Sequence, residues 1–207
     1  MYKISGLYLV TDSNLCQGRA LEAIVEQAVK GGVCIVQLRE KNLSTRLFID
    51  LAIKIKNILN HYNVPLIIND RADVALAVGA DGLHIGQDDM PYDIARKLLG
   101  KKAIIGLSVE NWDDVEKAQN MDIDYIGVSP IFETPTKTDT KGSWGLDGLK
   151  KIRAFSKHPL VAIGGINKSN ANDIILAGAD SIAVVSAICS HDDPYLAAVE
   201  LSGKFRK

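Results

Sequence analysis

The chain has 207 residues, with 24 Lys+Arg against 25 Asp+Glu and a formal net charge of -1. That length suits one large domain or two small ones, and the near-balance of charge excludes a broad nucleic-acid-binding face, which needs a basic excess. No apolar run reaches the ~20 residues of a membrane span, Met1-Tyr2-Lys3-Ile4 opens no signal-peptide stretch, and Cys16, Cys34 and Cys189 show no CxxC spacing, so the expectation is a cytoplasmic protein with reduced thiols and no membrane partner.

Short apolar runs recur roughly every 20 to 30 residues, the spacing of strand-plus-helix units. They fall at residues 6–10, 33–38, 66–68, 82–85, 103–107, 125–128, 160–163 and 181–185. The stretch 20–30 places Leu21, Ile24, Val25, Ala28 and Val29 at helical spacing, and 44–59 places Leu47, Leu51, Ile55, Ile58 and Leu59 on one side. Ser44, Asn111 and Ser169 read as helix N-caps. Gly31-Gly32, Gly79, Gly100 and Gly178 sit where helices should stop. The segments 78–82, 121–125 and 177–181 resemble one another, each closing a helix, turning and starting a strand. The strands are continuous apolar runs, as parallel strands covered on both faces should be. The expected fold is α/β: a single (β/α)₈ TIM barrel over 1–207. An open doubly wound sheet is the structural alternative, but it requires a topological switch that the pattern lacks. One long polar connection, 130–145, stands out; loops of that length are usually functional or disordered.

In a parallel barrel, chemistry sits where the strands end. The run 33–38 leads into Gln37, Arg39 and Lys41, whose alternation directs all three side chains one way while Val36 and Leu38 point the other. Arg and Lys at the end of a buried strand point to an anion, held by a forked guanidinium and a point-charge ammonium. The other strands end in Thr11-Asp12, Asn69-Asp70-Arg71, His84 followed by Gly86-Gln87-Asp88-Asp89, Ser108, Thr134-Pro135-Thr136-Lys137, Gly164-Gly165-Ile166-Asn167 and Val185-Ser186-Ala187. The strand beginnings follow ordinary turns. One rim is loaded with chemical groups and the other is not, which argues for an enzyme.

Gly164-Gly165 lets the backbone approach a ligand closely, and Val185-Ser186-Ala187-Ile188 can begin a short helix with free N–H groups; together they read as a phosphate cradle or, more plainly, as a tight turn and a helix cap. Asp70 and Asp89 close neighbouring strands. Without a His or Cys cluster, that pair suits Mg²⁺, which in turn favours a diphosphate; separately, each reads as a cap or a solvated loop residue. His84 reads as a hydrogen-bonded interior histidine. No Ser-His-Asp set or nucleophilic Cys context is evident, so chemistry would mean positioning and charge stabilisation.

These residues resemble the thiamine phosphate synthase (thiamine-phosphate pyrophosphorylase) family. The likeness runs over nearly the whole chain, through residues 8–12, Gln37-Leu38-Arg39-Glu40-Lys41, Asn69-Asp70, residues 84–89, Gly106-Leu107-Ser108, residues 129–137, Gly164-Gly165-Ile166 and Val185-Ser186-Ala187-Ile188. The resemblance implies a barrel transferase that joins hydroxymethylpyrimidine diphosphate to hydroxyethylthiazole phosphate, yielding thiamine phosphate and pyrophosphate. It implies Gln37, Arg39, Lys41, Asn69, Ser108 and Lys137 for the pyrimidine diphosphate, with Arg39, Lys41, Ser108 and Lys137 closest to catalysis. It implies Thr134, Thr136, Gly164, Gly165, Val185 and Ser186 for the thiazole phosphate, and Asp70 and Asp89 for Mg²⁺. The implied mechanism is dissociative: pyrophosphate leaves first, and the thiazole nitrogen captures the pyrimidine methyl cation. The implied partners are small phosphorylated molecules; homo-oligomerisation is left open. Ser129 departs from a common Gly and Glu133 from a common Pro. Trp144 reads either as a cover for the site or as packing. A thiazole tautomerase-like paralogue is the nearest rival, but it would carry a histidine at Ser129 and would not need the diphosphate side. A non-catalytic thiazole-phosphate sensor would have no use for the metal.

Overall fold

The computed structural model describes residues 3–133 and 142–205. Its strands close into a parallel barrel in chain order: β1 (Gly6–Val10), β2 (Val33–Leu38), β3 (Leu66–Asn69), β4 (Gly82–Ile85), β5 (Ile104–Val109), β6 (Tyr125–Val128), β7 (Leu160–Ile163) and β8 (Ser181–Val184). The connecting helices are α1 (Leu21–Lys30), α2 (Thr45–Tyr62), α3 (Ala72–Val78), α4 (Tyr92–Leu99), α5 (Trp112–Ala118), α6 (Gly145–Phe155) and α7 (Ala171–Leu176), with a short α8 (Ser186–Cys189) and a final α9 (Pro194–Ser202). The expected (β/α)₈ barrel is therefore the observed one. Strand β5 runs further than its apolar pattern and includes Ser108.

Period-two alternation divides the buried residues into two cores. Leu9, Val36, Leu38, Ile68, Leu83 and Ile105 point outward and pack beneath the helices. Tyr8, Ile35, Ile67, Tyr125, Val161 and Ala183 point inward and fill the barrel. Burying each such Leu, Ile or Val stabilises by about 1.5–3 kcal/mol, so both faces of every strand are anchored and the register is pinned.

Helix α2 shows how packing overrides pattern. Ser44 caps it as expected, its Oγ accepting from Leu47 N, and Asn63 ends it in a left-handed conformation. The buried stripe is Phe48, Ala52, Ile55 and Leu59, one residue round from the expected Leu47-centred face. Leu47 is 55% exposed while Phe48 is 1% exposed, since the larger apolar side chain takes the core side. Asn111 caps α5 as expected. Ser169 does not cap α7: its N–H is bound by Asn167 Oδ1 in a local turn, and the capping position falls to Asn170.

The three look-alike segments prove to be one device at the lower rim. Asp81, Asp124 and Asp180 each donate a backbone N–H to the carbonyl of Leu66, Ile105 or Leu160, at 2.9, 2.8 and 3.0 Å. The same carboxylates accept from the N–H of those same residues, at 2.9, 2.8 and 2.8 Å. Each aspartate thus completes the first rung of the preceding strand. Arg96 from α4 and Arg153 from α6 neutralise Asp124 and Asp180 at 2.8 and 2.7 Å. This rim is occupied by structural work, which leaves the opposite rim for chemistry.

Candidate active site

The upper rim opens into a cavity of about 770 Å³. Gln37, Arg39, Lys41, Asn69, Asp70, Asp89, Ser108, Gly164, Gly165, Val185 and Ser186 all line it, so the described residues expected from the sequence converge on one mouth. Thr134, Thr136 and Lys137 lie outside the described residues.

On the β2–β4 side, the cations are held by carboxylates. Arg39 Nη1 stands 3.7 Å from Asp12 Oδ2, and its backbone N–H donates to Thr11 Oγ1 at 3.0 Å. Lys41 Nζ donates to Asp70 Oδ2 at 2.8 Å. Asp70 itself has φ of 61°, a left-handed backbone that Asp tolerates better than most residues; such strain often marks a working position. Its N–H is fixed by the carbonyl of His84 at 2.8 Å. Asp89 Oδ2 accepts from Gly86 N at 2.7 Å. The Asp89 carboxyl is nonetheless pushed up from its ordinary range, first by burial and further by the adjoining Asp70 carboxylate, against the pull of that backbone bond and of Lys41. Two carboxylates in contact, with Asp88 beside them on the cavity wall, repel one another and any diphosphate. A hard divalent cation with few protein ligands relieves both repulsions. Two carboxylates are oxygen donors of the kind a hard cation such as Mg²⁺ takes, with water and phosphate oxygens filling the remaining positions.

On the β7–β8 side, Gly164 and Gly165 have φ of 105° and 66°. A Cβ on Gly164 would meet Pro130 Cβ at 2.6 Å, and one on Gly165 would meet Phe132 Cβ at 2.8 Å. The start of the β6–α6 loop lies against this turn, with Ile131 N donating to Ile163 O at 2.9 Å and Phe132 N to Gly164 O at 3.2 Å. Asn170 Nδ2 holds the carbonyl of Gly165 at 2.9 Å. Across the gap, Val185 precedes the first turn of α8 at Ser186. Backbone amides at such a glycine turn and helix start suit a phosphate.

The floor carries a chain of polar contacts. Gln37 Nε2 donates to Tyr8 Oη at 3.0 Å, Tyr8 and Tyr125 share a bond of 2.8 Å, His84 Nδ1 meets Tyr125 Oη at 3.0 Å, and His84 Nε2 meets Ser108 Oγ at 2.9 Å. His84 stacks on Tyr125 with ring centroids 5.6 Å apart. Burial raises both phenol pKa values, so both hydroxyls stay protonated. The interior histidine is thus as expected, whereas Tyr8 and Tyr125 escaped the sequence reading, as did Asp12 as the partner of Arg39. The signal for the tyrosines lay in the strand glycines: a Cβ on Gly106 would fall 2.0 Å from Tyr125 Cζ, and one on Gly127 would fall 3.1 Å from His84 Cε1. Glycine inside a strand marks a close approach, and here both glycines make room for rings. Trp144 is absent from the cavity lining. It packs on the helix-side core and over Gly148, as the packing reading expects.

A closed barrel with a phosphate-type cradle and a charged cluster on one rim defines an enzyme of small phosphorylated substrates. The model of the thiamine monophosphate synthase family matches residues 7–188, and the chain belongs to that family. It is 54% identical over 195 residues to the thiamine-phosphate synthase of Albidiferax ferrireducens, covering 94% of this chain and 89% of that one. It is 53% identical over 207 residues to the thiamine-phosphate synthase of Leptospira biflexa, covering 98% and 99%. Among solved structures, thiamine phosphate pyrophosphorylase from Pyrococcus furiosus superposes with a TM-score of 0.88 at 37% identity, covering 96% of this chain and 94% of that one.

Proposed function

We propose that this thiamine-phosphate synthase joins 4-amino-2-methyl-5-(diphosphooxymethyl)pyrimidine to 4-methyl-5-(2-phosphooxyethyl)thiazole, with Asp70 and Asp89 as the Mg²⁺ ligands. The observation that carries this reading is the division of one mouth into a cation–carboxylate cluster on β2–β4 and a glycine cradle on β7–β8. Two anionic substrates can then face one another across the cavity.

In this reading Arg39 and Lys41 hold the diphosphate, with Asn69 at the end of β3 beside them and Lys137 as a further cation. Gln37 and Ser108 orient the pyrimidine over the barrel floor. Gly164, Gly165, Val185 and Ser186 hold the thiazole phosphate through backbone amides, with Thr134 and Thr136 from the β6–α6 loop. Asp70 and Asp89 would hold Mg²⁺, which would add positive charge beside the diphosphate. The C–O bond of the pyrimidine methylene breaks and its electron pair leaves on pyrophosphate. The thiazole nitrogen lone pair then forms the new C–N bond. That nitrogen carries no proton, so no general base is needed, which agrees with the lack of an evident base or nucleophile. Catalysis is alignment plus charge stabilisation. A cytoplasmic setting belongs to this reading, and no helix among the described residues is long and apolar enough to cross a membrane.

Incubation with both substrates and Mg²⁺ should release pyrophosphate and form thiamine phosphate. The same mixture with excess chelator should release none, and added Mg²⁺ should restore release. No pyrophosphate at saturating substrates overturns the reading, and undiminished release under chelator overturns the metal assignment.

A further inference from the structure

Arg39 stands where the β1–β2 sheet runs out. The pairing of the two strands ends at Val10 and Gln37, and Thr11 N still donates to Gln37 O at 2.9 Å. Beyond this point β1 turns off into a single 3₁₀ turn at Ser13–Leu15. The N–H of Arg39 donates to the Thr11 hydroxyl at 3.0 Å, so a side chain supplies the rung that the main chain no longer offers. Thr11 is fully buried, which shields that bond from water. Asp12 addresses the other end of the same residue. Its Oδ1 accepts from Asn14 N at 3.0 Å and from Asn14 Nδ2 at 3.1 Å, which fixes the carboxylate within the turn. Its Oδ2 faces the guanidinium, 3.7 Å from Arg39 Nη1. The Ser13 hydroxyl donates to the Glu40 carboxylate. Three consecutive residues of the β1–α1 connection thus grip two consecutive residues of the β2 tail. Arg39 lines the cavity, whereas Thr11 and Asp12 do not, so any effect of theirs on a ligand there is indirect.

We infer that Thr11 and Asp12 are positioning residues for Arg39, Thr11 fixing its main chain and Asp12 turning its guanidinium, so that the fork is set before the diphosphate arrives. This rests on the diphosphate reading above. An arginine side chain gives up rotamer freedom when it binds, and a fork held in advance gives up less. The Asp12 pair is long, and its two side chains keep part of their contact with solvent. Such a pair is weak, so Asp12 can turn the fork and still yield it to a phosphate.

The test is a double-mutant cycle on kcat/KM for the pyrimidine diphosphate, with Asp12→Asn and Arg39→Gln as the single changes. Asn keeps a carbonyl oxygen for Asn14 and removes only the charge. Asp12→Asn should cost about fivefold or more beside Arg39 and less than about twofold once Arg39 is Gln. A merely structural Asp12 would cost the same in both backgrounds. Thr11→Val keeps the branched, buried shape but removes the acceptor. It should lower the same kcat/KM about fivefold, leave KM for the thiazole phosphate within about twofold, and be largely rescued by Thr11→Ser. If Thr11→Val does not fold, the Asp12 cycle decides alone. Losses that multiply in the cycle overturn the inference, as does an Asp12→Asn enzyme that binds the diphosphate more tightly, which would make Asp12 a competitor. Arg39→Gln by itself separates the two readings. Wild-type turnover there removes Arg39 from the diphosphate, whereas a large loss there with no effect of Thr11→Val or Asp12→Asn removes only the positioning roles.

Discussion

Replacing Gly106 by Ala tests how the barrel interior is built. The new Cβ would lie 2.0 Å from Tyr125 Cζ, 2.4 Å from its Oη and 2.5 Å from its Cε2. To restore ordinary contact at 3.4 Å, the ring must move about 1.4 Å. Its movement is resisted: Tyr125 is fully buried, its hydroxyl is tied to Tyr8 at 2.8 Å and His84 at 3.0 Å, and His84 covers one face, so any shift toward the cavity breaks these contacts. Overpacking a rigid core costs about 1–3 kcal/mol, and distorting a buried hydrogen bond adds about 1 kcal/mol. A total of ~3 kcal/mol, set against an unfolding entropy of about 2.1 cal/mol/K per residue, lowers Tm by about 7 °C for a chain of this size. Calorimetry or dichroism reads that shift. Gly203→Ala is the control, because a Cβ there meets nothing within 4 Å and the backbone is already helical. The double change Gly106→Ala with Tyr125→Val should lose less than the two single losses combined, since the ring that clashes is gone. A Gly106→Ala protein melting within a degree or so of wild type, with normal turnover, would refute the account of ring packing.

Asp89→Asn should abolish Mg²⁺-dependent pyrophosphate release while raising the Tm of the metal-free protein, because a carboxylate that is partly buried and lies against Asp70 is removed. The folded pKa of Asp89 is raised, so its contribution to stability is complete below the unfolded carboxyl value and is lost as pH rises through the raised one. The advantage of Asn in a melting series should therefore grow with pH across the acidic range and then level off. Asp124→Ala should do the opposite: it takes one carboxylate from Arg96, which keeps the carbonyls of Asp122 and Ala103, and leaves the N–H of Ile105 without its acceptor at the lower rim, lowering stability by about 1–3 kcal/mol, while kcat and both KM values stay within about twofold. Gly165→Ala combines a left-handed backbone with contacts of 2.8 Å to Phe132 Cβ and 3.0 Å to Glu133 O. It should raise KM for the thiazole phosphate about tenfold or more and leave KM for the pyrimidine diphosphate nearly unchanged. Equal effects on both substrates would remove the cradle from the thiazole side.

The barrel was legible in the chain because parallel strands must bury both faces, and continuous apolar runs such as residues 33–38 and 181–185 announce that requirement. The loaded rim was legible for a related reason: side chains beyond the last apolar position of each strand escape the core and are free to be polar, as Arg39, Asp70 and Asp89 are. Period two also put Gln37 on the same side as Arg39 and Lys41, opposite Val36 and Leu38. What local pattern could not show was distance between strands. That Lys41 reaches Asp70 and Arg39 approaches Asp12, that Leu47 yields its place to Phe48, and that Tyr125 lies over Gly106 and bridges Tyr8 to His84 are all consequences of closing the sheet. Closure brings β6 within one hydrogen bond of both β1 and β4 across the interior, and no spacing along a single strand records a diameter.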